Sequence, residues 1–291
     1  MNSVIKFPYL GFEVNPGKSI EIFGISIAYY GIIIAIAAIV GALVAFKDAK
    51  RTKQNVDDYI DFAIWTIFMA LIGARLYYCI FKMDYYGEHP LEIITGIRNG
   101  GLAIYGGIIA SAITLIVFTK VKKLNFWQMA DSACLGLVIG QAIGRWGNFF
   151  NREAFGSFCN NIFAMQLPKE TALAHADSID SLLQNLVYID GEPFVQVHPT
   201  FFYEFLWCVG VFILLTLYKK HKKFHGEVFA LYVIGYGIGR TWIEGLRTDQ
   251  LLIGPFAVSQ ILSIVAVIAA VGFIVFMRMR LKKSQDCPEN Q

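Results

Sequence analysis

Residues 144 to 156 read Gly-Arg-Trp-Gly-Asn-Phe-Phe-Asn-Arg-Glu-Ala-Phe-Gly, a dense polar run placed where a long apolar helix pattern stops. It supplies Arg145, Asn148, Asn151 and Glu153. A second polar stripe, Tyr236, Arg240, Glu244 and Arg247, recurs at helical spacing and so lines one face at the end of another apolar helix. An arginine at the centre of a bilayer costs roughly 2.5–3.5 kcal/mol on insertion scales, less near the interface, so two Arg and two Glu at one depth call for a chemical reason. Guanidinium groups bind phosphate bidentately and keep their charge when partly desolvated. Neighbouring carboxylates would hold them in place and balance them when no anion is present. The natural anion at that depth is a phospholipid headgroup. Tyr30, beside Gly31 in an otherwise apolar helix, offers it a further hydrogen-bond donor.

The elements that must position these groups are membrane spans. The chain is 56% hydrophobic and only 16% charged over 291 residues, with a mean hydropathy of +0.53, and carries too little charge to cover a water-soluble globule. Apolar runs long enough to cross a bilayer, which takes roughly 20 residues, fall near 25–46, 59–80, 102–119, 127–144, 199–217, 227–243 and 256–277. The expectation is an all-α polytopic membrane protein of about seven transmembrane helices, one integral membrane domain over 1–291. Cations gather after every second run, at Lys47 to Lys53, Lys120 to Lys123, Lys219 to Lys223 and Arg278 to Lys283. By the positive-inside rule the amino terminus is then outside and the carboxyl terminus cytoplasmic. Segments 81–101, 145–198 and 244–255 face the exterior, and 145–198 forms a signature loop with a small extracytoplasmic head. No removable secretory signal is expected, because Pro8, Glu13, Pro16 and Glu21 interrupt the first 24 residues.

Several function classes are disfavoured. The basic clusters that make up the net charge of +3 are topology signals beside an anionic leaflet rather than a nucleic-acid surface. Cys79, Cys134, Cys159, Cys208 and Cys287 show neither CxxC spacing nor a paired framework, and the five histidines are dispersed, so no metal or other cofactor is implied. Gly235-Tyr236-Gly237-Ile238-Gly239 follows no strand and reads as helix packing, not a nucleotide fingerprint. With Gly136, Gly140 and Gly144 it suggests that the fourth and sixth spans approach closely. No Gly-x-Ser-x-Gly or His-Glu-x-x-His supports an intramembrane protease. An outward-facing anionic-lipid binder or transporter is the alternative; the polar groups cluster at one face instead of running through, and no inverted halves are visible.

The stretch Gly144–Gly156 resembles the signature of bacterial prolipoprotein diacylglyceryl transferases. Three further stretches are similar to its other motifs: Asn99-Gly100-Gly101-Leu102-Ala103-Ile104-Tyr105-Gly106-Gly107, His198-Pro199-Thr200-Phe201-Phe202-Tyr203-Glu204, and Gly235-Tyr236-Gly237 through Arg240, Glu244 and Arg247. They occur in the family order over nearly the full length. The resemblance implies an enzyme of the bacterial cytoplasmic membrane, with its site toward the outer leaflet. It would move the diacylglyceryl group of phosphatidylglycerol to the lipobox cysteine thiol of a prolipoprotein signal peptide, forming a thioether and releasing glycerol 1-phosphate. By position, Arg145 would be the principal phosphatidylglycerol contact. Asn148, Glu153, Gly156, Tyr30, Tyr236, Arg240 and Glu244 would complete the site.

Negative charge grows on the departing phosphate oxygen in such a transfer, and Arg145 and Arg240 are the cations placed to stabilise it. A cysteine thiol near pKa 8.5 is only slightly ionised at neutral pH, so its proton needs help to leave. Here the chain departs from the family pattern: Tyr105 stands where the Gly-Gly-x-x-x-His-Gly-Gly motif usually has histidine. Tyrosine, near 10, is a poor base at pH 7, so Tyr105 is expected to orient substrate while nearby arginines lower the thiol pKa. His198 reads as an interfacial residue at a helix start, with a pocket role as the alternative.

Overall fold

The computed structural model describes residues 4–96, 100–175 and 180–286. Asn99 and Cys287 lie outside them. Seven helices of 18 or more residues stand at the seven expected runs: α1 (Tyr29–Arg51), α2 (Val56–Ile80), α3 (Ile104–Val121), α4 (Phe126–Asn151), α5 (Thr200–Tyr218), α6 (Glu227–Glu244) and α7 (Val258–Asp286). Five of these, α1, α2, α3, α5 and α7, are long and apolar enough to cross a bilayer. The other two, α4 and α6, are the helices that carry the arginine stripes. Short helical turns at Met83–Tyr86, Glu92–Thr95, Lys169–Leu173 and Asp180–Leu183 decorate the connections.

The all-α expectation needs correcting, because the described residues also form three antiparallel sheets. Strands β1 (Ile5–Phe7), β2 (Phe12–Val14), β5 (Met165–Pro168), β6 (Leu186–Ile189) and β7 (Glu192–Val197) make a five-stranded sheet in the order β2-β1-β5-β7-β6. Strands β3 (Ser19–Ile22) with β4 (Ile25–Ala28), and β8 (Leu252–Ile253) with β9 (Phe256–Ala257), are two-stranded hairpins. The small head is therefore built from more than the segment 145–198: Lys6 pairs with Gln166 and brings the N-terminal strands into the same sheet. Its core is Ile5, Phe155, Met165, Leu167, Ala172, Leu182, Val195, Val197 and Phe201. The first expected span began at 25, but residues 25–28 pair with 19–22 as a hairpin, and the helix starts at Tyr29.

The chain divides into two compact units, one of Met1–Gly41 with Cys134–Gln291 and one of Ala42–Ala133. In the second, α2 lies against α3 where glycines permit it; a Cβ on Gly73 would sit 2.7 Å from the Gly106 carbonyl oxygen. Arg75 is buried there, and among the described residues its side-chain hydrogen bonds go to backbone carbonyls. It donates to four carbonyls, those of Glu92 (2.6 Å), Ile93 (2.8 Å), Gly100 (3.0 Å) and Gly101 (3.1 Å), and so ties the connection between α2 and α3 to the α2 helix.

In the first unit the glycines of α4 and α6 do not face each other. A Cβ on Gly140 would meet the Ala37 carbonyl of α1 at 3.2 Å, and Gly136 receives Gly41 of α1. On α6, Gly235 and Gly239 stand against Val211 and Trp207 of α5, and the Trp207 indole Nε1 donates to the Gly235 carbonyl at 2.8 Å. A direct link between α4 and α6 runs through side chains instead: Tyr232 Oη donates to Gln141 Oε1 at 3.1 Å.

Candidate functional site

The polar run after 144 does not end α4; the helix continues two turns further, to Asn151, so Arg145 and Asn148 project from helical positions. The sequence pattern marked a stop because apolar residues thin out. In the structure those polar side chains have partners, and the backbone has no reason to leave the helix.

Arg145 Nη2 lies 2.6 Å from Glu204 Oε1, on the second turn of α5. Arg240 Nη1, on α6, reaches the same oxygen at 3.4 Å, and its Nη2 meets Glu244 Oε2 at 2.5 Å, one turn along. One buried carboxylate thus stands between both guanidinium groups, and the two arginines converge. Arg247, just past the helix end, lies 3.9 Å from Glu244 Oε2 and forks onto Asp249 at 2.9 and 2.7 Å. That acidic partner holds the Arg247 guanidinium firmly protonated despite the desolvation it suffers. Three arginines are balanced by Glu204, Glu244 and Asp249. The Glu204 and Glu244 side chains are 4% and 5% exposed, whereas those of Arg145 and Arg240 are 19% and 17% exposed. The carboxylates are thus more deeply buried than the cations they balance.

The remaining predicted residues gather around this cluster. Asn148 Nδ2 and Asn151 Nδ2 donate to Glu153 Oε1 at 3.0 and 3.2 Å, folding the turn after α4 back on the helix. Tyr30, at the start of α1, lies within electrostatic reach of Glu153 and Arg145. Its ring fills the space above Gly147, where a Cβ would come within 2.7 Å. Tyr236 lies within electrostatic reach of Arg145, Glu204 and Arg240.

The turn itself is strained: Arg152 (φ 58°) and Ala154 (φ 57°) both take left-handed backbone, which costs an L-residue about 1–2 kcal/mol each. Arg152, fully buried, offsets this by donating to the Phe150 carbonyl at 2.9 Å and the Pro16 carbonyl at 2.6 Å. Gly156 has a backbone role. Its N–H donates to the His198 carbonyl at 2.9 Å, Ser157 N–H donates to the Leu246 carbonyl at 2.8 Å, and a Cβ at 156 would meet His198 Cβ at 2.7 Å and Leu246 O at 2.9 Å. Three segments cross there because position 156 has no side chain. His198 places Nδ1 3.3 Å from Tyr203 Oη, and burial lowers its pKa from the ordinary histidine value.

Tyr105 belongs to the second unit, where it is the half-buried second residue of α3. Sequence reasoning missed Glu204 as a site residue, although it closed a quoted motif. The available signal was a lone carboxylate one turn into an apolar span, a placement that demands a cationic partner.

The fold and the site define a multi-helix membrane protein with a pair of arginines clustered around one buried carboxylate in its first unit. A family model described as prolipoprotein diacylglyceryl transferase matches residues 18–276, and the chain belongs to that family of enzymes. It is similar to the phosphatidylglycerol–prolipoprotein diacylglyceryl transferase of Finegoldia magna, at 43% identity over 269 residues, 92% of this chain and 98% of the relative. The proteins of the same name from Clostridioides difficile (41% over 263 residues; 90% and 96% covered) and Listeria monocytogenes serotype 4b (41% over 263 residues; 90% of each) are comparably similar.

Proposed function

We propose that this chain transfers the diacylglyceryl group of phosphatidylglycerol to the lipobox cysteine of a prolipoprotein signal peptide, as the names of its relatives describe for phosphatidylglycerol and prolipoprotein. The observation that carries the reading is the Arg145–Glu204–Arg240 cluster, in which one buried carboxylate stands between two arginines. In this reading the chain is one seven-span domain of the bacterial cytoplasmic membrane. Its amino terminus is outside, its carboxyl terminus cytoplasmic, and its cluster faces the outer leaflet among membrane lipids.

Arg145 and Arg240 clasp the phosphodiester, while Glu204 and Glu244 keep both aimed when the site is empty. Tyr30, Asn148, Glu153 and Tyr236 border the headgroup, and Gly156 keeps the turn that presents them tight. The cysteine thiolate attacks the glyceryl carbon, a C–S bond forms, the C–O bond to phosphate breaks, and glycerol 1-phosphate departs with its charge held by the arginines. The thiol proton leaves more readily in the field of those cations, and Tyr105 orients the incoming substrate.

Purified protein, phosphatidylglycerol and a lipobox peptide should yield a peptide heavier by one diacylglyceryl unit, with Arg145→Ala losing that product. Transfer of an intact phosphatidyl group, or no product on a cysteine-containing peptide, overturns the reading.

A further inference from the structure

The two hairpins are built alike. In each, the second strand runs without a linker into a long apolar helix: β4 ends at Ala28 and α1 begins at Tyr29, while β9 ends at Ala257 and α7 begins at Val258. In each, the first helical N–H donates to the carbonyl of the residue preceding the first strand, Tyr29 to Lys18 at 3.0 Å and Val258 to Leu251 at 2.9 Å. Both stand at the arginine end of the first unit. Tyr30 belongs to the cluster, and Gln250, two residues before the second hairpin, donates to the Arg247 carbonyl at 2.9 Å.

Their surfaces are apolar. Cross-strand partners Ile20↔Ile27 and Ile22↔Ile25 put four isoleucines on one face of the first hairpin, with Ser19, Glu21 and Ser26 on the other. All eight strand positions are exposed, so among the described residues neither face of the ribbon is covered. At its tip, Phe23 is 101% exposed and holds φ 51° beside Gly24 at φ 77°. A two-residue turn of this hand favours Asn-Gly or Asp-Gly, and a bulky residue at positive φ is a genuine outlier. A phenylalanine kept there, strained and uncovered, is out of place in water. The second hairpin exposes Leu251, Leu252, Ile253 and Phe256 around Gly254, whose φ is 60°. Isolated two-stranded hairpins are marginal in water, and exposed apolar patches of this kind mark a membrane or partner surface.

We infer that both hairpins dip their apolar edges into the acyl region of the leaflet at the arginine end, as paired anchors that fix the depth of the α1 and α7 starts. The inference rests on the membrane reading above and is independent of the transfer chemistry. Anchoring at two points would keep the guanidinium groups level with the lipid phosphates.

The test places a nitroxide on Phe23→Cys, Ile25→Cys and Ile253→Cys, with Tyr188→Cys on the exposed β6 strand as a solvated reference, in a Cys287→Ser background. Cys79, Cys134, Cys159 and Cys208 are buried and leave the label its single site. In vesicles of phosphatidylglycerol and phosphatidylethanolamine, labels at 23, 25 and 253 should collide several-fold more with oxygen than with a water-soluble nickel chelate, the reverse holding at 188. Nickel access at the tips means solvated hairpins; shielding from both reagents means a protein partner covers them. Either outcome overturns the inference, and either could occur in protein that still forms the thioether product, so its failure is separable from that of the transferase reading.

Discussion

Replacing Arg145 with lysine keeps one positive charge beside Glu204 but removes the planar fork. In the structure Nη2 of Arg145 is paired with Glu204 Oε1 at 2.6 Å, which leaves its second N–H, together with those of Nε and Nη1, to meet a phosphate in a two-donor fork. A lysine ammonium that keeps the Glu204 pair presents a point charge to the lipid and loses at least one charge-assisted hydrogen bond. Such a bond contributes about 1.5–3 kcal/mol, and at roughly 1.4 kcal/mol per decade Arg145→Lys should lower kcat/KM by roughly 10- to 150-fold. The assay is mass-resolved diacylglyceryl transfer to a lipobox peptide in phosphatidylglycerol micelles, with thermal unfolding run in parallel to show that the Lys–Glu204 pair preserves the fold. A variant that transfers within threefold of the parent would refute the bidentate argument, since charge alone would then suffice.

Glu204→Ala takes the buried carboxylate from Arg145 and leaves Arg240 with Glu244, and removing one partner of a buried pair costs about 3–5 kcal/mol; a melting temperature in detergent equal to that of the parent would contradict the bridging role. Gly156→Ala should destabilise by about 1–3 kcal/mol through overpacking at the crossing of residues 156, 198 and 246, and an unchanged unfolding midpoint would mean that the crossing yields. Burial lowers the pKa of folded His198, so the unfolded chain, whose histidine titrates near 6.5, takes up the proton first. Its share of stability is present above about pH 6.5 and lost as pH falls below that value. His198→Gln should flatten this acid slope in unfolding measured from pH 8 to pH 5 without altering the pH profile of transfer; a shifted transfer profile would return His198 to consideration as the base.

The helices were legible because each of the seven runs is largely apolar, and a helix of 18 or more residues stands at every one, five of them long and apolar enough to cross a bilayer. Their ends were less so. Residues 25–28 are as apolar as the helix they precede, and only pairing with 19–22 makes them a strand. Arg145 to Asn151 carry enough polar residues to end a span, and their partners, Glu153 for Asn148 and Asn151 and Glu204, some sixty residues away, for Arg145, make it favourable for the helix to continue. The head sheet left little trace, since its strands are three to six residues long and β1 pairs with β5 across about 160 positions. The cluster was half visible: Arg145, Arg240 and Glu244 follow from polarity where polarity is expensive, but the carboxylate that joins them lies in a motif dominated by Phe201, Phe202 and Tyr203. The glycine stripes were read correctly as close-packing faces and assigned to the wrong neighbours, because spacing reports that a face is small and not which helix it meets.

The central claim is that Arg145 and Arg240 hold one lipid phosphate between them. A structure of the chain with phosphatidylglycerol bound tests it most directly. The account predicts the phosphodiester oxygens within hydrogen-bond distance of both guanidinium groups, with Glu204 still behind them. A headgroup seated elsewhere, or one that contacts neither arginine, would contradict it.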